Sequence, residues 1–267
     1  MLHDILTILR DFSQPDYKRW LAIMDLRKME KNNESINILI NSLEKDPNVI
    51  IRHDAVFMLG KIKSENAIGS VIKALKHDKR FVVRHEAAET LSYVPLTRES
   101  KEALEAATND PVEEVRETAK IALDVHQHSK NVEGQSIFLD YSEPAYKRWN
   151  AGFKILNSLL YKRTVSGINS LVQCLEKDPS PVLRHMGAFL LAEVRGKEAE
   201  DSLARSALQD KSPLVRHEAA ETFAFFPLAK KSKSILQTLL QDDVKEVRDT
   251  AKLVLDLHKN SDRPLTV

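Results

Sequence analysis

Several things are scarce in this 267-residue chain, and each shortage excludes something. There is one cysteine, Cys174, so neither an internal disulfide nor a metal cluster built on several thiolates is available. A reducing, cytoplasmic setting is the expectation. Glycine (7 residues) and aromatics (6%) are sparse, while alanine, leucine, glutamate and lysine are plentiful, which favours helices. Charge of one sign is missing too: 40 Lys and Arg stand against 39 Asp and Glu, a net charge of +1. A nucleic-acid binder normally carries a basic excess, so nucleic acid is not an expected partner. No run approaches the roughly 20 apolar residues of a membrane span, so no membrane partner is expected. The opening "MLHDILTILRDF" is interrupted by Asp4 and Arg10 and has no signal-cleavage pattern.

What the chain does contain is a repeat inside a repeat. "DPNVIIRHDAVFMLG", "DKRFVVRHEAAETLS" and "DPVEEVRETAKIALD" begin at Asp46, Asp78 and Asp110, a step of 32 residues. Arg52, Arg84 and Arg116 keep that step, as do Asp178, Asp210 and Asp242 with Arg184, Arg216 and Arg248. The halves are offset by 132 (His53 to His185, His85 to His217), whereas "YKRW" at 17–20 returns at 146–149, an offset of 129. One half has therefore gained three residues near its first turn. Each unit reads as two helices: Ile68, Val71, Ile72 and Leu75 lie on one helical face, and Val83, Ala87, Thr90, Leu91 and Val94 form the next apolar stripe. Asp-Pro at 46–47, 110–111 and 178–179 marks junctions, with aspartate as a cap and proline tolerated only in a first turn. A single pair cannot bury its apolar face, but stacked pairs can.

The pattern D-P-x-x-x-V-R-x-x-A-A resembles the HEAT repeat. The fold expected is all-α, a HEAT-like superhelix of about eight helical hairpins in two pseudo-symmetric halves. The boundaries predicted are 1–128 for the first half, 129–144 for a linker around Gly134 and Pro144, and 145–267 for the second, with its first helix starting near 137.

The two positions after each repeat arginine carry the chemistry. They hold His53-Asp54, His85-Glu86, His185-Met186 and His217-Glu218 in the central units. The outer units hold Trp20-Leu21, Trp149-Asn150, Glu117-Thr118 and Asp249-Thr250. The fold does not itself require histidine there. Inner helices of adjacent repeats pack roughly 8–10 Å apart, so side chains at equivalent positions can converge. His53, His85 and Glu86 are expected to form one cluster, and His185, His217 and Glu218 the other. Two imidazoles and a carboxylate form the set that non-haem iron uses, with positions left open for oxygen; manganese or zinc could occupy the same ligands. Trp20 and Trp149 read as core, and His3, His77, His126, His128 and His258 as surface residues.

At these residues the chain resembles the deoxyhypusine hydroxylase family, HEAT-like proteins with four His-Glu motifs. The resemblance covers nearly the whole chain. It implies an O₂-dependent monooxygenase with two Fe(2+) per chain, held by His53, His85, Glu86, His185, His217 and Glu218. It also implies the deoxyhypusine-containing translation initiation factor as the protein partner. The remaining motif acids hold substrate in that family, and here those positions are Asp54 and Met186. The alternatives are a di-iron protein with an altered or lost substrate, and a non-enzymatic HEAT scaffold, which needs no metal.

Overall fold

The computed structural model describes residues 2–26, 32–128, 135–161, 164–194, 199–226 and 229–260. Among them all regular structure is helical. The chain divides into two compact units, Met1–Gln127 and His128–Val267. Residues 129–134, the first part of the expected linker, lie outside the described residues.

In the first unit the helices pair as α1 (Leu2–Arg10) with α2 (Asp16–Leu26), α3 (Asn33–Lys45) with α4 (Val49–Ile62), α5 (Ile68–His77) with α6 (Phe81–Tyr93), and α7 (Arg98–Ala107) with α8 (Glu113–His128). In the second, a short 3₁₀ helix at Gln135–Leu139 precedes α9 (Ala145–Tyr161). Then follow α10 (Val165–Lys177) with α11 (Pro181–Glu193), α12 (Glu200–Gln209) with α13 (Pro213–Thr222), and α14 (Lys230–Leu239) with α15 (Lys245–Asn260). Within each unit the first helices of the pairs pack on one another and the second helices do likewise, giving two layers. Leu39, Ile51, Val56, Val83, Ala87 and Leu91 are buried between the layers of the first unit, and Leu171, Leu183, Leu190, Val215 and Ala219 between those of the second. Trp20 and Trp149 are core residues, as expected.

The helix ends follow from local chemistry. Asn32 and Thr97 each open a helix with a reciprocal capping box to a serine three residues on. Pro181 and Pro213 occupy first-turn positions, where a missing N–H costs nothing. The repeat aspartates act differently from the simple caps expected. Asp46, Asp78, Asp178 and Asp210 end the first helix of a pair in extended conformation. Each then accepts the backbone N–H two residues on.

These same aspartates also receive the arginine of the preceding repeat. Arg19 pairs with Asp46, Arg52 with Asp78 and Arg84 with Asp110, at 2.8, 2.9 and 2.7 Å. Arg148 pairs with Asp178, Arg184 with Asp210 and Arg216 with Asp242, at 2.6, 2.8 and 2.8 Å. A second nitrogen completes a bidentate fork in each. Arg52, Arg84, Arg184 and Arg216 also donate to the carbonyl of the aspartate at the head of their own turn. Each arginine thus ties its own turn to the next, which sets the 32-residue register.

Burial alone would raise the Asp110 carboxyl, but hydrogen bonds from Arg84 and the Val112 N–H, with the Arg84 charge, hold it below its ordinary value of 3.8. A depressed carboxyl contributes stability that is complete above the ordinary value and is lost as pH falls through the lowered one. Asp110→Ala is expected to cost about 2 kcal/mol in urea unfolding at neutral pH. Its deficit against wild type should shrink as pH drops below 3.8, and a constant deficit would refute the pairing.

Candidate metal centre

The histidines follow the repeat arginines on α4, α6, α11 and α13, and His53, His85, His185 and His217 are all buried. Adjacent residues on a helix point about 100° apart, so the histidine and acid of one motif do not face each other. Instead, at Asp54, Glu86, Thr118, Glu218 and Thr250 the second motif residue reaches back to the first motif residue of the preceding repeat. Trp20 Nε1 donates to Asp54. His53 Nε2 lies 3.5 Å from Glu86 Oε2, and His185 Nε2 lies 3.2 Å from Glu218 Oε2. His85 Nδ1 lies 2.7 Å from Thr118 Oγ1, and His217 Nδ1 lies 2.6 Å from Thr250 Oγ1.

In each unit the expected acid meets one of the expected histidines, Glu86 with His53 and Glu218 with His185, and a further acid meets the other. His85 Nε2 lies 3.6 Å from Glu89 Oε2, and His217 Nε2 lies 3.6 Å from Glu221 Oε2. Glu89 and Glu221 were not among the expected ligands. Their signal was present in "HEAAE": residues four apart share one helical face, whereas neighbours do not. The corresponding positions after His53 and His185 are Phe57 and Phe189, so the acid accompanies only the histidine of the third repeat in each half. Tyr93 donates to Glu89 Oε1 at 2.8 Å, and burial together with that carboxylate raises its phenol well above the ordinary range.

Asp54 and Met186, expected to hold substrate, are both buried. Asp54 Oδ1 lies 3.0 Å from His53 Nδ1, and its other oxygen accepts from Trp20. The carboxylate is therefore engaged in orienting an imidazole. Met186 packs on Gly152 and Phe138: a Cβ on Gly152 would lie 2.7 Å from the Met186 methyl and 3.0 Å from the Phe138 ring. The first-half counterpart of Gly152 is the buried Ile23. Met186 thus fills the space beside Gly152.

His126 and His258, expected at the surface, are half-buried. Their Nε2 atoms donate to the carbonyls of Leu91 and Phe223 at 2.8 and 2.9 Å. A carbonyl can only accept, so Nε2 is protonated there and these two histidines fasten the ends of α6 and α13. His53 has the opposite polarity. His53 Nδ1–H donates to the Asp54 carboxylate, which leaves Nε2 with a lone pair. An imidazole lone pair facing a buried carboxylate is an arrangement that a cation relieves. The ligand atoms of His85 and Glu89 lie within 4.8 Å of one another, as do those of His217 and Glu221. Imidazole with carboxylate suits a divalent transition metal, and the donor set fits one.

The profile for HEAT repeats matches residues 4–92, 36–124 and 168–256. The chain belongs to the HEAT-repeat family. Within this HEAT-repeat background it is similar to curated deoxyhypusine hydroxylases. It is 29% identical to that of Dictyostelium discoideum over 227 residues, covering 75% of this chain and 70% of the relative. It is 26% identical to that of Arabidopsis thaliana over 228 residues, covering 74% and 70%. The solved structure of human deoxyhypusine hydroxylase in complex with glycerol shares the fold, with a TM-score of 0.78 at 24% identity over 97% of this chain and 96% of that one. No helix among the described residues is long and apolar enough to cross a membrane.

Proposed function

We propose that this HEAT-repeat protein is a deoxyhypusine hydroxylase that holds two Fe(2+) per chain and acts on the deoxyhypusine side chain of the hypusine-containing translation initiation factor. The observation that carries the reading is the buried set of imidazoles and carboxylates, repeated in each unit, in a chain similar to named deoxyhypusine hydroxylases. His53, His85, Glu86 and Glu89 are the ligands we assign in the first unit, and His185, His217, Glu218 and Glu221 those in the second. Bound iron would supply the activation of O₂ that a side chain cannot.

The chain's own residues supply the rest. Asp54 holds the His53 ring with Nε2 toward the acids, and Trp20 holds Asp54. Two carboxylates per unit balance the charge of one divalent ion. Burial keeps bulk water from the centre and strengthens each of these interactions. The overall reaction converts a C–H bond to C–OH with one oxygen atom of O₂. The other atom leaves as water, drawing two protons, together with two electrons from an external reductant.

The test is mass spectrometry of the deoxyhypusine-bearing factor after incubation with iron-loaded protein, ¹⁸O₂ and a reductant. The expected result is one ¹⁸O atom on the modified lysine. An unmodified factor beside a fully metallated protein would favour instead a di-iron protein with another substrate.

A further inference from the structure

Thr118 and Thr250 occupy, in the last repeat of each half, the position that holds Asp54, Glu86, Met186 and Glu218 elsewhere. Both are buried, and both belong to the same phrase, "RETAK" and "RDTAK". Each hydroxyl makes two contacts. Thr118 Oγ1 lies 2.7 Å from the Glu114 carbonyl one turn back and 2.7 Å from His85 Nδ1. Thr250 Oγ1 lies 2.9 Å from the Glu246 carbonyl and 2.6 Å from His217 Nδ1. A hydroxyl has one proton and two lone pairs, and a carbonyl only accepts. Two oxygens at that separation without a proton between them repel, so the hydroxyl proton is committed to the carbonyl. Toward the histidine the threonine can then only accept, and the ring nitrogen it meets must carry a proton.

We infer that Thr118 and Thr250 are positioning residues of the metal centre, each fixing its histidine as the Nδ1-protonated tautomer so that the Nε2 lone pair is presented to the metal. The partner of one ring nitrogen decides which of the two can ligate. Nε2 of His85 faces Glu89, and Nε2 of His217 faces Glu221, each at 3.6 Å, too long for a hydrogen bond and close enough to share a cation. Asp54 performs the same task for His53 by a different route, a carboxylate in place of a hydroxyl anchored to a helix backbone. The threonine in the last repeat of each half thereby acquires a reason. The inference rests on the metal-centre reading above.

The test uses the whole protein in two measurements. Long-range ¹H–¹⁵N spectra of the metal-free wild type above neutral pH should show His85 and His217 protonated at Nδ1, whereas protonation at Nε2 overturns the inference. Anaerobic Fe(2+) titration against a competing chelator then compares wild type with Thr118→Val and Thr118→Ser. Valine keeps the shape and removes the acceptor. Its expected effect is a loss of about tenfold or more in the affinity of one metal equivalent. The metal-free melting temperature should stay near wild type, and serine should restore the affinity. Two equivalents bound by Thr118→Val at wild-type affinity overturn the inference, even if the wild type hydroxylates its substrate. A tenfold loss in a protein whose wild type leaves the deoxyhypusine factor untouched sustains the inference while the substrate reading fails.

Discussion

The paired variant His85→Ala/His217→Ala is expected to lose hydroxylation of the deoxyhypusine factor to background and to retain less than half of the bound iron, with its helical circular dichroism intact. The reason for the first effect is that both rings are fully buried and face an acid across 3.6 Å. Removing one takes away one of the four assigned ligands of its unit and leaves Glu89 or Glu221 without its imidazole partner. The reason for the second is that the repeat register is carried by other residues, the Arg84–Asp110 and Arg216–Asp242 forks. Truncation of a buried histidine that is not part of that register is expected to cost about 1–2 kcal/mol of stability, well short of unfolding the stack. Glu89→Gln gives a finer version of the same experiment. It keeps the side-chain shape and the contact with Tyr93 while removing the charge, and it should release one iron. Loss of helicity in the paired variant, or full iron content in Glu89→Gln, would show that these groups serve the fold instead.

Metal removal is expected to lower the melting temperature by roughly 10 °C. Glu86, Glu89, Glu218 and Glu221 are all buried. Buried carboxylates that have lost a cation carry an uncompensated desolvation cost. A ligand that binds only the native state at a thousand times its dissociation constant contributes about 4 kcal/mol. For a chain of this size each kcal/mol moves the transition by about 2–4 °C. Differential scanning calorimetry with and without chelator reads the shift, and readdition of Fe(2+) should reverse it. Coincident transitions would mean that the buried acids are neutralised by protons and not by metal.

The parts of this architecture that were legible in the sequence are those with a fixed period. The 32-residue step of Asp46, Asp78 and Asp110 gave the hairpins, and the four histidines stood out because flanking repeats carry tryptophan or an acid at the same place. What the aspartates do was less legible. Their bond to the arginine of the preceding repeat spans 26 residues in most of the stack, which no local capping rule contains. The pairing of motif residues was also hidden, because the eye joins His85 to its neighbour Glu86 while the helix turns them apart. Glu86 meets His53 of the repeat before, and His85 meets Glu89 one turn on. Met186 looked like a missing acid when read alone. Its fit against Gly152 and Phe138 depends on a residue 34 positions away, and only the packed structure joins the two.

The most direct test of the metal centre is the iron content of the wild-type chain after anaerobic loading with Fe(2+) and desalting. Close to two irons per chain is the result these imidazoles and carboxylates predict. A chain that retains none under conditions where it stays folded would contradict the assignment of His53, His85, His185 and His217 as ligands.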